Sequence, residues 1–168
     1  MIRNVFVATL LLFIVGCTPP QSDPLTQQQK DQIKLEIKAA CDSMVAIWNR
    51  ADTSRYMQYY ADTPDWVCFN FDGSRSDYQA LKKSWLDAAN SIIDYKWTTT
   101  HQDFAFISKD VVLCAWEGNS AMIGRQSAKR LKFDPIAYTA VFKKIAARWQ
   151  VVYSHTSATS VTEKADKK

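Results

Sequence analysis

His101 and His155 are the only imidazoles in this chain. An imidazole beside a carboxylate is the usual general base at neutral pH. His155 shares the parity of Trp149 and Tyr153, which points to packing or interface use. His101 falls where a strand changes parity, and a plain surface role is expected. Two histidines without close acidic spacing are too few for a zinc site, so neither a metal nor a cofactor is expected. Asp65 precedes a strand, where capping or solvation is its ordinary use. Cys41, Cys68 and Cys114 form no CxxC pair. An oxidising compartment would permit one disulfide, but three is an odd count and pairing is not readable from spacing. Buried unpaired thiols are the expectation. Arg125, Lys129, Arg130 and Lys132 fall in a stretch read as a basic loop, Gly124 to Pro135, with Lys143, Lys144 and Arg148 as further cations. An anionic headgroup or glycan could bind there; solvated loop charges are the plainer reading.

Cys17 has a different context. Arg3 is the only charge before it, and Val5 to Val15 is apolar apart from Thr9. That run is too short for a permanent span, which needs roughly 20 residues. A positive start, a short apolar stretch and a small residue before the cut describe a signal peptide. Ile14-Val15-Gly16-Cys17 resembles the bacterial lipobox. The resemblance implies that residues 1–16 are removed and Cys17 is lipidated, with several acyl chains holding the protein to the membrane. The expected place is the bacterial cell envelope. Thr18, rather than Asp, after the cysteine favours the outer membrane, facing the periplasm.

The remaining chain is long enough for one domain with a real core. Its six Trp and seven Tyr exclude a disordered polar chain. Lys and Arg number 21 against 17 Asp and Glu, a balance too even to argue for nucleic acid.

The elements follow from periodicity. Residues 17–25 read as a tether and 26–160 as the domain, with a charged, disordered tail over 161–168. Thr26 and Gln29 have capping-box spacing. Ile33, Ile37, Cys41, Met44 and Trp48 then recur at helical spacing to about Ala51. Asp52 or Thr53 starts a second helix carrying Tyr56, Tyr59 and Tyr60, stopped by Pro64. Residues 66–71 alternate as a strand, and Asp72-Gly73 turns the chain. Ser76 and Gln79 repeat the capping-box spacing before a third helix with Leu81, Trp85, Ala88 and Ala89. Tyr95 and Trp97 share one parity, Phe104 and Phe106 the other, which predicts a β-bulge between about Thr98 and Asp103. Ser108-Lys109-Asp110 makes a hairpin turn into a strand from 111 to about 122. Strands over 136–145 and 148–158 join at Ala146-Ala147. Helices early and hairpins late give an α+β domain with helices on one face of a curved sheet.

This order resembles the nuclear transport factor 2 (NTF2-like) superfold. Trp48-Asn49-Arg50-Ala51-Asp52 continuing to Tyr59-Tyr60-Ala61-Asp62 is similar to the motif where its first two helices meet. Arg148-Trp149-Gln150-Val151-Val152-Tyr153-Ser154-His155-Thr156-Ser157 resembles the last strand of SnoaL-like and DUF4440 members. It also resembles that of the association domain of calcium/calmodulin-dependent kinase II. The resemblance implies an NTF2-like cone, with three N-terminal helices packed on a strongly bent antiparallel sheet.

Such a fold hosts isomerases, dehydratases, hydrolases and binding modules, so function lives in the pocket. In the ketosteroid isomerase relative, a tyrosine donates to the oxyanion and a carboxylate shuttles the proton. The matching positions here are Met44 and Cys68, which do neither. At the pocket arginines of the kinase association domain this chain has Gly118, Ala140 and Thr156, so a carboxylate clamp is not expected. The alignment implies a pocket lined by Met44, Trp48, Tyr60, Trp66, Cys68, Asn70, Cys114, Trp116, Tyr138, Val152, Ser154 and Thr156. Those walls suit an apolar or aromatic small molecule held by a few hydrogen bonds; the same side chains would equally serve as a filled core. The expected role is non-catalytic: small-molecule binding, or a homodimeric module assembled through the outer sheet face. The alternative is an isomerase or hydrolase of the SnoaL or ketosteroid isomerase type with a rearranged site.

Overall fold

A computed structural model of the chain describes residues 24–50, 52–125 and 129–164; Cys17 and the signal segment lie outside them. Helix α1 runs Gln27–Trp48. Its start is the capping box read from sequence: the Thr26 hydroxyl accepts from the Gln29 amide at 3.2 Å, and the Gln29 side chain accepts from the Thr26 amide at 2.8 Å. The Ile33–Trp48 stripe is buried along its length.

The expected second helix is a single turn, α2 (Thr53–Tyr56), followed by a 3-10 turn over Met57–Tyr59. Pro64 is not what stops it. Tyr60 already has extended backbone and forms a parallel bridge to Val151. Strands β1 (Val67–Phe69) and β2 (Arg75–Ser76) form a small hairpin, and helix α3 (Tyr78–Ser91) follows it. Only α1 and α3 exceed one turn among the described helices, so three N-terminal helices is corrected to two, split by a hairpin. The cap of α3 is Asp77, whose carboxylate accepts from the Ala80 amide at 2.8 Å. Ser76, the expected cap, sits in β2 and has its hydroxyl occupied by the Asn70 side chain at 3.0 Å.

Strands β3 (Ile92–Ser108), β4 (Val111–Gly124), β5 (Lys129–Ile145) and β6 (Arg148–Lys164) make an antiparallel meander. The sheet order is β2-β1-β6-β5-β4-β3. Strand β1 runs parallel to β6, pairing Val67 with Tyr153 and Phe69 with His155, so the curved sheet is mixed rather than wholly antiparallel. Residues 129–135, read as loop, are strand, and β6 continues past Ser160 to pair Lys164 with Lys129. Each extension supplies the other's backbone partners, which a basic, Pro-containing sequence does not announce.

The predicted bulge is present as a register shift between Thr99 and His101. Opposite it stands Gly118, where an added Cβ would lie 2.0 Å from the Thr98 carbonyl oxygen. The β5–β6 turn places Ala146 and Ala147 at φ 47° and 64°, the left-handed region that two-residue hairpins require.

The inner sheet face carries Val112, Cys114, Trp116, Ala140, Phe142 and Val151, all buried in one core with the α1 stripe. At one end Glu36 of α1 accepts from the Trp149 indole at 2.7 Å and from Lys144 at 3.1 Å. Bonds from Gln32 and Trp149, then Lys144, hold its carboxyl below the usual glutamate range. At the other end the Asn49 amide bonds both backbone groups of Trp97, donating to its carbonyl at 3.1 Å and accepting from its N–H at 2.6 Å. No described helix is long and apolar enough to cross a membrane.

Because no room exists for a methyl group between β4 and the bulge, Gly118→Ala is expected to cost about 3 kcal/mol by overpacking. Chemical denaturation of the two proteins measures it.

Candidate active cleft

A cavity of about 520 Å³ lies at the C-terminal end of α1, where α3 and the β1–β2 hairpin meet the inner face of the sheet. Each wall has a local cause. Leu81, Ser84, Trp85 and Ala88 recur at helical spacing, and that face of α3 turns inward. Tyr95 and Trp97 are successive inward residues of β3, before the bulge reverses the parity. The hairpin contributes Asn70, Phe71, Asp72, Ser74 and Ser76, closed by Gly73 at φ 82°. Ile92, Ser120, Met122, Phe133, Ile136 and Thr156 complete the lining.

The aromatic side is a packed cluster. Trp48 stacks on Tyr56 with centroids 4.8 Å apart and lies 5.1 Å from both Trp85 and Trp97. The hairpin side is polar and internally bonded. Asn70 donates to the Ser74 and Ser76 hydroxyls at 3.0 Å each. Asp72 Oδ1 accepts from the Ser74 amide at 2.9 Å and its hydroxyl at 2.6 Å, and these bonds hold its carboxyl below the usual aspartate range. Burial pushes the Tyr95 phenol up to about 12, with the Ser120 hydroxyl acting in the opposite direction.

Of the residues expected to line a pocket, Trp48, Asn70 and Thr156 border this cavity. Met44, Tyr60, Trp66, Cys68, Cys114, Trp116, Tyr138 and Ser154 do not; they are buried deeper in the interior. There Tyr60 donates to the Tyr56 hydroxyl at 2.6 Å and shares a 2.7 Å bond with Tyr138. The Trp66 indole donates to the Val151 carbonyl at 3.0 Å, and Trp116 packs on Tyr138 with centroids 4.4 Å apart. Val152 is half-buried and off this wall, because a register shift at Val141/Phe142 brings Val151 inward instead. Cys41, Cys68 and Cys114 are buried free thiols.

Sequence reasoning missed Trp85, Tyr95, Trp97 and the hairpin residues as lining, although their helical and alternating spacing was the available signal. It also missed an acid beside His101: Nε2 lies 3.1 Å from Asp103, both side chains exposed. Neither that pair, nor His155, nor Asp65 borders the cavity. Among the described residues no cluster of metal-ligating side chains occurs. The basic stretch is dispersed: Arg125 donates to the Asn90 carbonyl at 3.1 Å, while Arg130 and Lys132 sit in β5. Lys143, Lys144 and Arg148 are at the far end of the same hairpin, where Lys144 is bound to Glu36.

With fold and cavity in view, comparison with known proteins defines the class. The SnoaL-like domain family matches residues 37–161, and the chain belongs to it. A protein of Novosphingobium aromaticivorans described as a candidate scytalone dehydratase is 8% identical, with TM-score 0.73, covering 85% of this chain and 94% of its own. Hexachlorocyclohexane dehydrochlorinase LinA-type3 from Novosphingobium barchaimii is 11% identical at TM-score 0.66, covering 85% and 99%. An NTF2-like protein of unknown function from Shewanella oneidensis is 17% identical at TM-score 0.57, covering 74% and 98%. At such identities the likeness is one of fold. No curated protein matches the chain by sequence.

Proposed function

We propose that the protein is a non-catalytic binding module of the bacterial cell envelope, tethered through lipidated Cys17, that holds one small apolar molecule in this cavity. The observation that carries the reading is a cavity of about 520 Å³, bordered chiefly by aromatic and aliphatic side chains with a few hydroxyls. That is the ordinary make-up of a small-molecule site.

The rival reading is elimination chemistry, because solved relatives of the same fold include a dehydrochlorinase. Among the described residues, Asp72 and Tyr95 are the titratable groups of the lining. A carboxylate held below its usual range is a weak base, and a phenol raised to about 12 is a weak acid near neutral pH. An effective pair needs values near the working pH. The mismatch favours binding over turnover.

A homodimer is the second part of the reading. The sheet face away from the helices carries one apolar row across five strands: Ala105, Leu113, Val141, Tyr153 and Val67 are successive partners. Such a row is self-complementary under a two-fold axis.

In a thermal-shift screen of hydrophobic metabolites, a ligand at a hundred times its Kd should add about 2.7 kcal/mol of stability. Ala88→Trp, which fills the cavity from α3, should abolish that shift; a broad library without hits, or a ligand consumed by the protein, overturns the reading. Intact-mass analysis of the membrane fraction should find an acylated Cys17, and Cys17→Ser should lose it and leave the membrane. Light scattering of the delipidated protein should give a dimer that Val141→Arg converts to monomer; a wild-type monomer defeats the assembly role.

A further inference from the structure

The six indoles of this chain divide evenly. Trp66, Trp97 and Trp149 donate to the Val151 carbonyl, the Thr99 hydroxyl and the Glu36 carboxylate. The N–H groups of Trp48, Trp85 and Trp116 are buried without a hydrogen-bond partner among the described residues, and so is the Ser120 hydroxyl. Buried donors are nearly always paired in folded proteins, because an unpaired one forfeits its hydration for nothing. Trp48, Trp85 and Ser120 all border the cavity. Trp116 alone of the four packs deeper, against Tyr138.

The three residues at the cavity are neighbours drawn from α1, α3 and β4. The Trp48 ring lies 5.1 Å from both Trp85 and Trp97, and Ser120 is the cross-strand partner of Trp97. The Ser120 hydroxyl stands near the Tyr95 phenol without a hydrogen bond between them. Other polar groups of the lining are already committed: the Asn70 amide to Ser74 and Ser76, the Ser84 hydroxyl to the Leu81 carbonyl. No lysine, arginine or histidine borders the cavity. Asp72 is exposed and bonded to Ser74. A buried anion would therefore meet donors but no counter-charge, and burying an unpaired charge costs far more than burying a neutral acceptor. A hydrocarbon would leave the donors as they are.

We propose that the cavity selects a neutral molecule with an apolar, ring-sized body and a carbonyl-type oxygen, which accepts hydrogen bonds from the Trp48, Trp85 and Ser120 donor group. The inference rests on the cavity being a binding site and adds the polarity of its occupant.

Three probes of near-equal shape separate the cases: acetophenone, its hydrocarbon isostere α-methylstyrene, and benzoate. Titrations followed by NMR of the indole N–H resonances should show acetophenone binding about tenfold tighter than α-methylstyrene, the gain of a hydrogen bond or two. Benzoate should bind weakest. Acetophenone, unlike the hydrocarbon, should move the Trp48 and Trp85 indole protons downfield and leave those of Trp66 and Trp149 in place. Trp85→Phe keeps a ring and removes its N–H; Ser120→Ala removes only the hydroxyl. Each should cut the advantage of acetophenone over α-methylstyrene to about threefold, and circular dichroism verifies folding of both variants. If the hydrocarbon or benzoate matches acetophenone, or its advantage survives both substitutions, the acceptor selectivity is wrong while the binding reading stands. If no probe binds, the acceptor assignment also falls, and the metabolite screen alone decides the binding reading.

Discussion

The side-chain amide of Asn49 stands in for a neighbouring strand. By closing both backbone groups of Trp97, it fastens the end of the first helix to the long third strand just before that strand bulges. A paired donor and acceptor have only one orientation, so the bond fixes angle as well as distance. Trp48, the last helical residue, is thereby pressed against Trp97, and the ring cluster forms around that contact. The opposite end is held by a different device, a glutamate receiving an indole and an ammonium. Between these two ties the helix stripe seals the concave face, and the cavity is the space left beyond the Asn49 tie.

How much of this was legible follows from what each pattern encodes. The first helix announced its own start, because a capping box is purely local. The bulge was legible because a single extra residue reverses parity for every residue after it. The resemblance at the helix junction ran through Asn49, and its bond to Trp97 gives that stretch a physical reason. The strand beginning at Lys129 was illegible: its composition is that of a loop, and it is extended only because a neighbouring strand pairs with it. The α3 cap moved by one residue since Ser76 was already claimed by Asn70.

The candidate pocket was legible in part. Parity along β4 to β6 correctly found inward residues such as Cys114, Trp116 and Tyr138, but inward at mid-sheet means core. A cavity arises where inward residues outrun their partners. Here that happens at the end of the sheet, where α3 and a two-residue strand replace α1. Locating it required knowing that β2 exists and where the hairpin leans, and both are tertiary facts. Shared architecture with dehydrochlorinases does not fill this gap, because the lining side chains rather than the cone decide which chemistry is available.

Helix α1 has 22 residues, and at 1.5 Å per residue it is about 33 Å long. The chain enters the domain at its start, beside Lys109 and Asp110, whereas Trp48 and the cavity are at its finish. A domain tied to a bilayer from that start would stand on its hairpin turns like a lamp on its base, with the opening turned outward. Guests would then arrive from the surrounding water, not laterally from among acyl chains, and the helix would set the height at which they are caught.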